Sequence, residues 1–371
     1  MVLIIQRKST LICVLIFGII LISGCISEEK GQTKPNDTAV LPAETEAQTT
    51  SSTISSPLPS ENETLPTQIS TPSPTPAIRF EGRYIDVHTH IRPSGMSLTE
   101  IIQNMDKEGI DMMVIMEVPT AIYQGKPQTE YGIPDAAEKY PGRFIVLYGG
   151  EAITLLDSVA TKGSYTKADE EKFIALIEYA MKSGKYRGFG EIALRHVSPV
   201  IGGEGADVTV SGDHPWMFIM SDIAAKYDVP IDIHMDFETA DKGIAGLEKL
   251  LDHNKKTKVI WSHTAWSRTG KSVSVELMRQ LLERHPNLYS SIKIRGTETG
   301  FIDEDNRIKS EWLALFKDYP ERFMIGSDIK PGIREDEFRF IKRHRKFLEQ
   351  LPPEILKRIE RDNAKEIFKI N

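Results

Sequence analysis

Between about residue 79 and residue 371, short β-type runs alternate with longer amphipathic stretches eight times over, and this alternation narrows the fold more than any other property of the chain. The β-type runs lie near 84–88, 111–118, 143–149, 186–192, 229–234, 258–263, 287–293 and 322–327. Helical periodicity occupies the intervals, for example over Ser97–Gly109, Lys167–Ser183, Trp216–Tyr227, Val273–Arg284 and Asp336–Gln350. A strand followed by a helix returns parallel to its predecessor, because an antiparallel return needs only a tight turn. Eight such units in about 290 residues predict an α/β fold, a closed (β/α)8 TIM barrel of the common size. The competing architecture, an open doubly wound sheet, would carry a glycine-rich phosphate loop after its first strand. No G-x-G-x-x-G follows the run at 84–88, and Gly270-Lys271-Ser272 lacks the earlier glycine of a P-loop.

The region before the barrel has a different character. Arg7 and Lys8 precede an apolar run from Leu11 to Ile22; its length suits a signal-peptide core and falls short of the roughly 20 residues that span a bilayer. The run ends in Ile22-Ser23-Gly24-Cys25, small residues before a cysteine in the manner of a lipobox. Residues 1–24 therefore read as a lipoprotein signal peptide and Cys25 as a lipidated N-terminus, which predicts an exported protein held on the extracytoplasmic face of the cell membrane. The alternative, an uncleaved signal anchor, leaves the protein on the same side. The other cysteine, Cys13, lies inside the apolar run, so the mature chain has no disulfide framework. From Gly31 to Ile78, 25 of 48 residues are Ser, Thr or Pro and none is aromatic, which is too little apolar surface to fold. Residues 25–78 are thus expected to form a disordered tether, and residues 79–371 the barrel. A net charge of −7 without any run of Lys or Arg argues against nucleic acid as a partner.

Chemistry-bearing side chains close five of the eight β-type runs. His88 and His90 end Tyr84-Ile-Asp86-Val-His88-Thr-His90, and residues two apart on a strand point the same way. Glu191 ends Arg187-Gly-Phe-Gly-Glu191, His234 ends Val229-Pro-Ile-Asp-Ile-His, His263 ends Val259-Ile-Trp-Ser-His, and Asp328 ends Phe323-Met-Ile-Gly-Ser-Asp. In a barrel these ends converge on one mouth, where such folds place their chemistry. Imidazoles and carboxylates at one mouth predict a divalent metal site, with Zn as the natural occupant and Mn, Fe or Co as alternatives. Arg195, Lys293 and Arg295 follow strands and are candidates to bind a substrate carboxylate or phosphate, and Trp266 is a candidate pocket wall. Glu117 and Glu151, read as ending strands two and three, offer the opposite charge. His196 and His214 belong to the loop after strand four and can reach the mouth, whereas His253, His285 and His344 read as surface residues.

The order His-x-His, Glu, His, His, Asp on strands one, four, five, six and eight resembles the amidohydrolase superfamily, nearest its "amidohydrolase 2" group of hydrolases and non-oxidative decarboxylases. Asp362-Asn-Ala-Lys-Glu-Ile-Phe368 is similar to the closing N-A-x-x-x-F helix of many members. Gly190-Glu191-Ile192 resembles the strand-four glutamate of TatD-like enzymes; the carboxylated lysine of phosphotriesterase-like members has no counterpart there. The resemblance implies a metal-dependent hydrolase that uses metal-bound hydroxide to cleave an ester, lactone, amide or related bond in a small molecule. In a two-ion version, His88, His90 and Asp328 hold one ion, His234 and His263 hold a second, Glu191 bridges them, and Asp328 shuttles the proton. In a one-ion version His88, His90, His234 and Asp328 are the ligands, His263 is acid or electrophile, and Glu191 stands behind. A decarboxylase of the same superfamily and a non-catalytic metal- or ligand-binding lipoprotein are the other readings.

Overall fold

Eight strands pair in parallel, each buried almost completely along its length, as a sheet covered on both faces requires. The computed structural model describes residues 83–117, 133–196, 208–237, 240–266, 272–295 and 299–370. The signal peptide, Cys25 and the tether expected from the sequence lie outside the described residues.

The strands are β1 (Tyr84–Thr89), β2 (Ile110–Ile115), β3 (Phe144–Val146), β4 (Phe189–Arg195), β5 (Ile231–Met235), β6 (Val259–Ser262), β7 (Leu288–Ile292) and β8 (Phe323–Ile325). They pair in chain order as β1-β2-β3 and β4-β5-β6-β7-β8. Two narrow seams close the ring. Tyr148 N–H donates to the Gly188 carbonyl at 2.8 Å and the Tyr148 carbonyl accepts from Gly190 at 3.0 Å, joining the chain after β3 to β4. At the other seam Asp328 N–H donates to the His88 carbonyl at 2.8 Å and His90 N–H to the Ile329 carbonyl at 3.0 Å. The expected (β/α)8 barrel is therefore the fold.

Helices fill the crossovers: α1 (Leu98–Glu108), α2 (Ile133–Lys139), α3 (Gly150–Lys162), α4 (Lys167–Lys182), α5 (Pro215–Tyr227), α6 (Ala240–His253), α7 (Val275–Arg284) and α8 (Ser310–Asp318). Local chemistry sets their ends. Ser97 and Glu100 form a reciprocal capping box that starts α1, and Gly109, with φ of 74°, ends it in the left-handed conformation that glycine adopts freely. Thr166 and Asp169 form the same box ahead of α4. Strand residues such as Phe189, Ile233 and Trp261 share one apolar cluster with helix residues such as Trp216, Leu281 and Phe316.

Two sequence readings shift in this frame. Glu151 does not end a strand: β3 stops at Val146, the chain turns through Gly149 and Gly150, and Glu151 lies in the first turn of α3, paired with Lys172 at 2.6 Å. The stretch read as one helix over 336–350 is instead a 3-10 turn (Glu337–Phe340) leading into α9 (Ile341–Leu348), because Asp336 takes a left-handed φ of 48° and the Glu337 carboxylate turns inward.

The chain ends in α10 (Pro353–Lys357), a π-helical turn (Arg358–Asp362) and α11 (Asn363–Phe368). The Asn363 side-chain amide donates to the carbonyls of Pro320 at 2.7 Å and Phe323 at 2.8 Å, pinning α11 to the start of β8. Ala364, Ile367 and Phe368 then pack in one cluster with Ile85, Val87, Met112, Val114 and Met324. The N-A-x-x-x-F pattern thus has a physical content: an amide that ties, and apolar groups that seal.

His285 and His344 are buried rather than exposed as the sequence suggested. His344 Nε2 accepts from Ile294 N–H at 3.0 Å and Nδ1 donates to the Phe340 carbonyl at 3.2 Å, so the fold holds a neutral imidazole. Burial pushes its pKa down to about 4, against the raising effect of the Phe340 carbonyl. Between the ordinary histidine value of about 6.5 and that figure the unfolded chain takes a proton that the folded one refuses, so stability falls as pH drops through this window. Urea denaturation at pH 7 and pH 5 is expected to show the wild type losing about 2 kcal/mol more than His344→Gln on acidification. An equal loss in both proteins would show that His344 does not carry this sensitivity.

Candidate metal centre

Position along the strand brings the six predicted ligands together. His88 lies within β1 and His90 just beyond it, His234 is the penultimate residue of β5, His263 directly follows β6, and Asp328 lies three residues beyond β8. Glu191 is the third residue of β4, which runs on to Arg195 rather than ending at the glutamate. Each of the six is at most 8% exposed. His263 and Asp328 both adopt left-handed backbone conformations, with φ of 39° and 51°. Such values are uncommon outside glycine and cost of order 1 kcal/mol or more. Hydrogen bonds from their backbone N–H groups, His263 to Ser291 Oγ at 3.0 Å and Asp328 to the His88 carbonyl at 2.8 Å, hold both in place.

Glu191 stands at the centre. Its Oε1 lies 3.0 Å from His234 Nδ1, 3.2 Å from His263 Nε2 and 3.6 Å from His88 Nε2, while Oε2 lies 3.4 Å from His90 Nε2. Asp328 Oδ1 is 3.4 Å from the same His90 nitrogen. Among the described residues three sets of donor atoms gather within 4.8 Å: His88, Glu191 and His263; His88, His90 and Asp328; and His196, His234 and Asp236.

The tautomers of the first pair suit a cation. His90 Nδ1 donates to the Met116 carbonyl at 3.0 Å, which places its proton there and leaves the Nε2 lone pair open. His88 Nδ1 faces Asp232 at 3.2 Å, and Asp232 accepts from Ser262 Oγ at 2.5 Å. The Nε2 atoms of His88 and His90 are buried without any hydrogen-bond partner. Buried nitrogen lone pairs, each with its ring's other nitrogen anchored by a carbonyl or carboxylate, form the arrangement metal-binding histidines adopt. A divalent ion therefore fits these residues.

The charge balance fits as well. Burial pushes the Glu191 carboxyl up, but the surrounding imidazoles, His88 first and then His234 and His263 through close contacts to Oε1, outweigh it and hold the group well below the ordinary carboxylate range. Asp328 is kept low in the same way, burial being overcome by Lys293 and Lys330. His234 and His263 lie 3.3 Å apart and shift in opposite directions. Burial lowers both; Asp236 and Glu191 reverse it for His234, which rises to about 10, while His263 falls to about 3. One proton thus resides on His234, between Glu191 and its neutral neighbour. A metal ion requires lone pairs on both rings, so its binding would replace that proton.

The remaining candidates divide. Lys293 and Trp266 belong to the site: Lys293 Nζ donates to Asp328 Oδ2 at 2.5 Å and lies 3.6 Å from the centre of the Trp266 ring, which is 6.3 Å from that of His263. Burial lowers the Lys293 pKa to about 8 against the pull of Asp328. Arg295 is engaged elsewhere, with Glu337 at 2.8 Å and over the Phe340 ring at 4.3 Å. The Arg195 guanidinium makes no hydrogen bond or ion pair to the six ligands, and it ends β4 half-buried. Glu117 follows β2, with its carboxyl pushed up by burial. His196 is buried with its ring 5.2 Å from that of His234, whereas His214 caps α5 by accepting from Trp216 N–H at 3.2 Å.

Four residues that the sequence reading did not select also shape the site. Asp232 orients His88. Asp236 lies 3.2 Å from His234 Nε2, close enough to pair electrostatically although the alignment falls short of a hydrogen bond. Lys330 donates to Asp328 Oδ1. Asp86 accepts from both the backbone N–H of Ser327, at 2.9 Å, and its hydroxyl, at 2.5 Å, bracing the segment that carries Asp328. The signal for two of them was parity: Asp86 and Asp232 each stand two residues before a predicted ligand, on β1 and β5.

The chain is similar to several solved structures. An uncharacterised TIM-barrel protein of Bordetella bronchiseptica is 13% identical, with 77% of this chain and 98% of that one covered and a TM-score of 0.50. An amidohydrolase of Burkholderia multivorans with bound zinc is 11% identical over 78% of this chain and 100% of its own, at a TM-score of 0.45. A 5-carboxyvanillate decarboxylase of Novosphingobium aromaticivorans, complexed with manganese and 4-hydroxy-3-methoxy-5-nitrobenzoic acid, is 11% identical over 78% and 97%, at 0.46. No curated protein sequence matches. Matched from residue 85 to residue 370 by the family model described as amidohydrolase, the chain belongs to the amidohydrolase family.

Proposed function

We propose that this protein is a metal-dependent hydrolase that cleaves an ester, lactone, amide or related bond in a small molecule, and that it works outside the cytoplasmic membrane, anchored through a lipid on Cys25. The observation that carries the catalytic part is the Glu191 carboxylate set between two histidine pairs, with Asp328 beside one of them. His88, His90 and Asp328 would hold one ion and His234 and His263 a second, with Glu191 between them. A bound zinc ion lowers the pKa of water to about 7 and polarises a carbonyl. Asp328 would accept the proton of the attacking water and return it to the leaving group; it is kept ionised by the neighbouring lysines and stands beside His90. Lys293, on the other oxygen, would steady its carboxylate between those two events. His88 and His90 would present fixed lone pairs because Asp232 and the Met116 carbonyl hold their other nitrogens. Trp266 would shield one side of the mouth from water.

Two measurements test this. In protein reconstituted with zinc and desalted, elemental analysis is expected to give two ions per chain for the wild type and one for Glu191→Gln; a wild type without bound metal removes the basis of the reading. In a screen over esters, lactones, amides and carboxylic acids, Asp328→Asn is expected to lower kcat by about 10²–10⁴ on whichever substrate turns over. Release of CO₂ from a carboxylic acid, with no hydrolysis of the other panels, would assign the site to a lyase instead.

For the anchor, the supporting features are the apolar run and the small residues before Cys25. Wild-type protein is expected to partition into the membrane fraction and to take up labelled fatty acid, and Cys25→Ser to do neither. Equal labelling of the two would exclude Cys25 as the attachment point.

A further inference from the structure

Two buried ammonium groups share one carboxylate at the rim of the metal centre. Lys293 follows β7 and is 1% exposed; Lys330 follows Asp328 by two residues and is 8% exposed. Lys293 Nζ donates to Asp328 Oδ2 at 2.5 Å, and Lys330 Nζ to Oδ1. A second carboxylate, Glu337, is already engaged: Oε1 accepts from Arg295 at 2.8 Å and Oε2 from the backbone N–H of Lys330 at 3.0 Å. Among the described residues these contacts join three cations, Lys293, Lys330 and Arg295, to two carboxylates. Buried charges in excess are costly unless something pairs with them.

The imbalance grows when the site is loaded. Asp328 Oδ1 is the oxygen that faces the open Nε2 of His90, at 3.4 Å, and it is also the oxygen that Lys330 occupies. An ion held by both would compete with the Lys330 ammonium group for Oδ1, and two cations on one oxygen repel each other. Lys330 then loses its partner, and an anion entering the mouth restores the balance. The shape of that anion can be read from Asp328 itself. Each of its two oxygens takes one ammonium group, so the lysine pair is already spaced for a carboxylate. Lys293 is held over the face of Trp266, 3.6 Å from the ring centre, which limits how far it can follow the ion.

We propose that Lys293 and Lys330 form a carboxylate-binding subsite beside the metal centre, so that the substrate is a small organic anion whose carboxylate docks on these lysines while a separate bond is placed for attack. This rests on the metal-dependent reading of the site. It adds Lys330 as a specificity determinant and fixes the sign of the substrate's charge.

The test uses the zinc-loaded full-length protein in detergent, with butyrate and butyramide as probes of nearly equal shape and different charge. Calorimetric titration is expected to show butyrate binding at least about tenfold more tightly than butyramide, the scale of one charge-assisted hydrogen bond. Lys330→Gln should lose about tenfold in butyrate affinity and keep its zinc, Lys330→Arg should retain most of the affinity, and butyramide should be unaffected in both. If Lys293→Met folds, it should behave like Lys330→Gln; if it does not, Lys330→Gln decides alone. Butyrate binding no more tightly than butyramide, or a preference that survives in Lys330→Gln, overturns the subsite, since the metal alone would then account for anion binding. Zinc measured in the same samples separates the two failures: protein that retains zinc and shows no preference overturns the subsite alone, whereas protein that retains no zinc overturns the metal-dependent reading and the subsite with it.

Discussion

A buried carboxylate surrounded by four imidazoles is the interaction on which the rest of this structure depends. Glu191 stays ionised in the interior because His88, His90, His234 and His263 approach it from β1, β5 and β6. Without them, burial would drive it to the neutral acid. The dependence runs both ways, since four imidazoles crowded at one point need a negative centre. Three of the histidines have a polar group behind them: a carboxylate, Asp232, at His88, a carbonyl at His90, and the Asp236 carboxylate near His234. The arrangement is a set of nested shells in which the outer polar groups decide which nitrogen of each ring is available.

Electrostatically the mouth has two halves. Around Glu191 the groups are imidazoles backed by carboxylates, which take up positive charge well. Beside Asp328 the groups are ammonium ions, Lys293 and Lys330, with Arg295 behind Glu337. Asp328 belongs to both halves, one oxygen facing His90 and the other Lys293. A polar ligand entering such a mouth meets a graded field, and this orients it before any specific contact forms.

Much of this was legible in the sequence, and the physical reasons are specific. Parallel strands buried on both faces appear as continuous apolar runs, so a polar residue at the end of such a run stands out; that is how His88, His90, Glu191, His234, His263 and Asp328 could be gathered before any coordinates. Parity of two also puts Asp86 and Asp232 on the side of a predicted ligand, but parity gives a direction and not a partner, and nothing local indicates that Asp86 meets Ser327 at the seam that closes the barrel. Glu151 was misplaced because two glycines end the extended segment earlier than its hydrophobicity does. Arg295 and Lys293 look alike two residues apart on the chain, yet one is tied to Glu337 and the other to Asp328, a difference set by the 3-10 turn that carries Glu337 inward. The burial of His344 depends on a contact with Ile294, fifty residues earlier in the chain, which helical periodicity does not report.

The seam between β1 and the segment after β8 joins the beginning of the barrel to its end. Asp86 and Ser327 are 241 residues apart in sequence, and the bonds between them lie directly beneath the pair His88 and Asp328. Contacts of such sequence separation are entropically expensive to form and tend to form late. The centre is therefore complete only after nearly the whole chain is available, since α11 must also reach the start of β8 to seal the same seam. A growing or partly threaded chain carries His88 and His90 as an ordinary pair of histidines with no carboxylates opposite. Any metal capture by these residues would in this way be tied to the finished fold.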